Sequence, residues 1–170
     1  MEAALAPLPV LRADFPYRIA GKSFPDKTPV LVAAVKTAVR GFATQCGVAT
    51  SSLVIGGRSM GGRMCSMAVA DPDDPLEVAG LVLVSYPMRP PKKPENLRTA
   101  HLPNIHVPTL CISGTRDTFG TPEELEGAFA QVSAVVTWHW IENARHELAR
   151  ADDDVAQVAA TWVKQLATQS

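Results

Sequence analysis

Apolar residues along the chain follow two alternating periods. Short runs rich in β-branched residues at Leu8–Phe15, Ser52–Gly56, Val78–Ser85, Thr109–Ser113 and Ala134–Ile141 predict strands. Val78–Ser85 is apolar almost without a break, as an internal parallel strand covered on both faces should be. Between these runs the spacing turns helical. From Thr28 to Cys46, Val30, Ala33, Ala34, Ala38 and Phe42 mark a helix, with Thr28 as N-cap, Pro29 at the first helical position and Gly47 just past the end. A small-residue helix is expected over Gly62–Ala70, and another opens at Thr121-Pro122-Glu123-Glu124 with capping-box spacing. The last, Asp152–Ala167, carries Val155, Val158, Ala159, Trp162, Val163 and Leu166 on one face. Strands alternating with helices predict an α/β fold with three layers, α/β/α, around a mainly parallel sheet. Residues 1–170 are read as a single domain, without an internal repeat or linker.

Composition changes this picture little. With 46% hydrophobic and 19% charged residues the chain is ordinary globular material, which argues against disorder. A formal net charge of −1 gives no basis for a nucleic-acid partner. The acidic run Asp152-Asp153-Asp154 suits the positive end of the final helix. Cys46, Cys65 and Cys111 have neither metal nor disulfide spacing and read as buried reduced thiols. No apolar stretch approaches the ~18 residues of a membrane span, and the N-terminus lacks the basic start of a secretory leader, so a cytoplasmic protein without a membrane partner is expected. Residues 86–108 hold six of the 14 prolines together with Lys92, Lys93, Arg98 and His101. Excursions of that length tend to be functional or mobile.

The chemistry concentrates in Gly57-Arg58-Ser59-Met60-Gly61. This GxSxG directly follows an expected strand and directly precedes an expected helix, the context of a nucleophile elbow. A serine there occupies a strained turn, and glycines two before and two after let the backbone pass without a Cβ clash. The Met60 amide then points from a helix N-terminus into the same space, where it can stabilise an oxyanion. Read alone, the motif also fits an ordinary turn or a phosphate-binding loop, although the chain lacks the phosphate-loop and dinucleotide fingerprints. Serine needs a base and an orienting carboxylate. Asp117 follows the Thr109–Ser113 strand and His146 follows the Ala134–Ile141 strand, in the order Ser, Asp, His. Taken singly, Asp117 could be a turn or capping aspartate and His146 a surface-loop residue. His139 lies inside a strand between two tryptophans and reads as structural, whereas His101 and His106 belong to the proline-rich segment. Arg58, Arg98 and His101 are candidates to line a substrate site, as are Lys92 and Lys93 with a solvated loop as the competing reading.

GGRSMGGR, FPYR, PPKKPENLRTAHL, GTRDTFGT and the His146 loop together resemble small α/β hydrolases of the dienelactone-hydrolase type. Within that family the chain is most similar to testis-expressed hydrolase-like proteins and the hydrolase-like subunit of a histone-acetyltransferase complex (the NSL complex). The resemblance runs from about Leu8 to the C-terminal helix. It implies a serine hydrolase with Ser59 as nucleophile, Asp117 as acid, His146 as base and the Met60 amide as one oxyanion donor. It further implies a small-molecule substrate and neither a metal nor an organic cofactor. Some eukaryotic relatives look like scaffold subunits, so a catalytically silent interaction module is the alternative. Relatives carry a further strand ending in a His-Gly loop that supplies the second oxyanion donor. This sequence has no such segment, which implies a truncated α/β-hydrolase fold. Three consequences are expected as alternatives. The Leu8–Phe15 strand pairs directly with Ser52–Gly56, a homodimer forms through an exposed sheet edge, or the natural protein begins further upstream.

Overall fold

The structure, a computed structural model, describes residues 2–90, 93 and 95–168. Lys92 therefore lies outside the described residues. In chain order the elements are α1 (Glu2–Leu5), α2 (Pro16–Ile19), α3 (Thr28–Cys46), β1 (Val54–Arg58), α4 (Met60–Val69), β2 (Gly80–Val84), β3 (Thr109–Gly114), α5 (Pro122–Phe129), β4 (Val136–Ile141) and α6 (Asp152–Ala167). The strands pair in sequence order, β1-β2-β3-β4, and every pair is parallel. Residues on β2 and β3 alternate between two buried clusters. Leu81, Leu83 and Cys111 pack with residues of α3, α4 and α5, whereas Val82, Val84, Leu110 and Ile112 pack with α6. This is the expected three-layer α/β/α sandwich, with β2 and β3 buried along their whole length. Among the described residues no helix is long and apolar enough to cross a membrane.

The expected first strand is not there. Residues 8–15 run as exposed irregular chain, with Leu8 and Leu11 facing solvent. Pro7, Pro9 and Pro16 remove amide donors that a ladder would need. The N-terminal segment instead leaves α1 packed on α6, where Lys164 Nζ donates to the Ala4 carbonyl at 3.0 Å. Ser59 N–H donates to Val84 O and Ala79 N–H to Leu53 O, so the odd-numbered backbone groups of β1 face β2. Those of Val54, Gly56 and Arg58 face outward, and no strand among the described residues pairs with them.

On α3 the buried face differs from the expected one. Leu31, Val32, Lys36 and Ala43 are buried, whereas Val30 is half exposed. Lys36 breaks the apolar pattern, yet its ammonium donates to Asp71 at 2.7 Å, so the aliphatic stem can pack inward. Thr28 is the first helical residue, with Lys27 as N-cap, so the start lies one residue earlier than read. Gly47 closes the helix at φ 67° as expected. Cys65 and Cys111 are buried free thiols, and burial pushes the Cys65 pKa up to about 12. Cys46 is only half buried, because it ends α3 at the surface.

The β1–α4 turn sets the serine. A Cβ on Gly57 would lie 2.7 Å from the Gly61 carbonyl carbon and 2.8 Å from Gly62 N, and one on Gly62 would lie 2.5 Å from Gly57 O. A Cβ on Gly61 would meet nothing within 4 Å. Gly57 thus lies against the Gly61–Gly62 peptide, and of the two helix glycines only Gly62 has no room for a Cβ.

Two stability predictions follow from this packing. Gly61→Ala leaves the urea midpoint unchanged or raises it, because the site is open and a helical glycine costs roughly 0.5–1 kcal/mol; Gly62→Ala lowers it. Phe129, 1% exposed, stands edge-on to both Tyr86 and Trp138 at 5.2 and 5.5 Å. Phe129→Ala is expected to cost about 3–5 kcal/mol of unfolding free energy in the same titration.

Candidate active site

Ser59, Asp117 and His146 project from the carboxyl ends of β1, β3 and β4 into one space. His146 Nε2 lies 2.8 Å from Ser59 Oγ, and His146 Nδ1 lies 2.8 Å from Asp117 Oδ2. The Asp117 side chain is fully shielded from solvent, and its second oxygen accepts the Phe119 N–H at 2.8 Å. With the carboxylate accepting at Nδ1, the proton sits there and Nε2 is left as the acceptor for a serine hydroxyl. Phe119 covers the imidazole at a centroid distance of 4.2 Å.

The local backbone explains how these groups meet. Ser59 takes φ 51° and ψ −118°, a strained conformation that lifts its side chain off the strand end. Met60 is the first residue of α4, and its amide has no acceptor among the described residues. At the end of β3, a Cβ on Gly114 would be 2.3 Å from Ala144 O, so only glycine lets the His146 loop close on that strand. Arg116 N–H donates to Ala144 O at 2.9 Å and fixes the approach. Ser85, at φ 50°, donates its hydroxyl to His146 O at 2.8 Å and its amide to Ile112 O at 2.7 Å.

Ser85, Phe119, Gly62 and Gly114 were not singled out from sequence. For Gly114 and Phe119 the signal was adjacency to Asp117 in GTRDTFG; Ser85 had only its place at the end of an apolar strand. Of the substrate-lining candidates, Arg58 lies apart. It is exposed and pairs with Asp152 at 3.2 Å. Arg98 and His101 line one cavity of about 420 Å³, which they share with Arg63 and Met67 of α4. Lys93 is exposed. His106 hydrogen-bonds Ser133 at 2.7 Å, and His139 pairs with Asp154 at 3.1 Å. Among the described residues no three His, Cys, Asp or Glu side chains converge as a metal-ligand set.

His101 is mostly buried, with Nε2 2.8 Å from Ser66 Oγ. The Ser66 hydroxyl donates to Arg63 O, so it accepts from the imidazole N–H. Burial, reinforced by the nearby Arg63 charge, depresses the His101 pKa to about 4. The unfolded chain takes up this proton near pH 6.5 and the folded chain only near 4, so stability falls as pH drops through that window. The loss is at most about 3 kcal/mol, less for the imidazole's partial solvent contact. Urea titrations at pH 7 and pH 4.5 should show it, and His101→Gln should flatten the difference.

An alpha/beta hydrolase domain family model matches residues 2–169. Among solved structures, the chain superimposes on esterase 2 of Thermogutta terrifontis with a TM-score of 0.66 at 18% identity, covering 86% of this chain and 68% of that one. Dienelactone hydrolase from Anabaena variabilis gives 0.61 at 23% identity, with 82% and 61% covered. A truncated carbohydrate esterase from gut microbiota gives 0.62 at 14% identity, with 82% and 69% covered. The chain therefore spans about two thirds of the length of these proteins and shares their fold. With nearly its whole length matched, the chain belongs to the alpha/beta hydrolase domain family.

Proposed function

We propose that this protein is a serine hydrolase that transfers an acyl group from a small ester, or a related substrate, to water. The observation that carries the reading is the unbroken run from Asp117 through His146 to Ser59, with both hydrogen bonds at 2.8 Å. His146 Nε2 takes the Ser59 proton as Oγ attacks the carbonyl carbon. The Met60 amide stabilises the oxyanion of the tetrahedral intermediate. The imidazolium, held by buried Asp117, returns its proton to the leaving alcohol. Water then repeats the sequence on the acyl-enzyme and frees Ser59. This chemistry calls on side chains and a backbone amide alone.

Removing a single oxyanion donor costs about 10²–10³ in rate, so a site served only by Met60 would turn over slowly while still forming the covalent adduct. A fluorophosphonate probe reads that adduct directly. Wild type should label, and Ser59→Ala should not. Asp117→Asn should slow labelling by up to ~10⁴, because the imidazole loses its tautomer. A folded sample that fails to label sinks this reading and favours the catalytically silent interaction module.

A further inference from the structure

One helical turn beyond Ser59, α4 presents a second feature. Met60, Arg63 and Met67 fall on one stripe of the helix at i, i+3 and i+7. Arg63 and Met67 open onto the 420 Å³ cavity, whose other walls include Asn96, Leu97, Arg98 and His101. Volumes of this order hold small organic ligands.

The charges in this cavity are unbalanced. Among the described residues Arg63 Nε, like that of Arg89, is buried without a hydrogen-bond partner. Among the described residues neither Arg63 nor Arg98 forms an ion pair and no acidic side chain lines the cavity. Arg98 is anchored through its backbone, whose carbonyl accepts the Tyr86 hydroxyl and whose amide donates to Met88 O, and its guanidinium Nη1 donates to Pro87 O at 3.5 Å. Burial and the Arg98 charge together lower the Arg63 pKa. Elsewhere Arg40, Arg58 and Arg89 pair with Asp74, Asp152 and Glu124. A half-buried cation left unpaired is costly unless an anion completes it. His101 stays neutral and already donates to Ser66, so it neither supplies nor cancels charge.

We propose that this cavity binds the carboxylate of a small organic acid, gripped between Arg63 and Arg98, with its hydrocarbon part against Met67 and Leu97. A guanidinium offers a planar pair of donors matched to the two oxygens of a carboxylate. Its place one turn from the nucleophile makes the substrate class a half-ester of a short dicarboxylic acid, a step that rests on the hydrolase reading; the anion site itself does not.

Calorimetric titration with succinate, inorganic phosphate and neutral dimethyl succinate tests the site without turnover. Succinate should bind wild type and Arg18→Met, which removes an exposed charge elsewhere, and should weaken at least tenfold in Arg63→Met and in Arg98→Met. Circular dichroism confirms that the variants fold. Absence of succinate binding, equal binding in all variants, or binding of phosphate alone would overturn the proposal. In parallel, kcat/KM for monomethyl succinate should exceed that for dimethyl succinate at least tenfold, and the preference should vanish in Arg63→Met through KM. Hydrolysis of both esters without preference overturns the half-ester assignment and leaves the hydrolase, while the anion site is decided by the calorimetry. Succinate binding with no hydrolysis of either ester, and no fluorophosphonate labelling, overturns the hydrolase and leaves the anion site.

Discussion

The turn that carries Ser59 is the constraint on which the rest of the molecule depends. A serine at φ 51° and ψ −118° occupies backbone space that costs roughly 1–3 kcal/mol, and nothing in the serine itself repays that cost. It persists because both flanks are fixed. On one side, Ser59 N–H donates to Val84 O, so the turn is bonded to the end of β2. On the other, α4 is anchored by Met64 and Ala68, both fully buried under the sheet. Burying a side chain of Met64's size contributes roughly 1.5–3 kcal/mol, enough to offset the strain. The contact between Gly57 and Gly62 is where these demands meet, since helix and strand backbones touch there with no room for a methyl group.

Once that turn is fixed, the parallel sheet does the remaining placement. Parallel strands end on the same side, so loops leaving β1, β3 and β4 open into common space although Ser59 and His146 are 87 positions apart. Three small features then close the gap. Gly114 lets the His146 loop lie against β3, Arg116 N–H ties it there, and Ser85 binds the His146 carbonyl from the end of β2. Each acts on the backbone, so the imidazole is aimed before any substrate arrives.

Much of this was legible in the sequence, and what was not has identifiable causes. The four strands of the sheet show as apolar runs and α6 as a periodic apolar face, while α4 and α5 were legible from a small-residue segment after the serine and from a capping box. Leu8–Phe15 has the same local pattern, but a strand exists only with a partner, and prolines on both sides favour irregular chain. The buried side of α3 was misjudged because Lys36 counts as polar in any pattern, while Asp71, 35 positions away, neutralises it. Ser59, Asp117 and His146 stood out because their order and their places after strands are local properties. The importance of Gly62 over Gly61 is a matter of which backbone atoms touch, which spacing alone does not encode. Arg63 was missed for a similar reason: an unpaired guanidinium is recognised only when the absence of a partner is seen.

That absence also joins the two halves of the site electrostatically. An acid substrate brings a fixed negative charge close to the place where Ser59 chemistry develops a second one. At a separation of about one helical turn, ~6 Å, two such charges repel by roughly 2–3 kcal/mol at an effective dielectric constant near 20. Uncompensated, that repulsion would fall on the transition state and slow acyl transfer about a hundredfold. One arginine neutralises the resting carboxylate. A second leaves net positive charge near the nascent oxyanion, supplementing the Met60 amide. Two arginines on one cavity, neither in an ion pair among the described residues, are therefore the arrangement expected if the ligand anion and the reaction anion must coexist within one turn of α4.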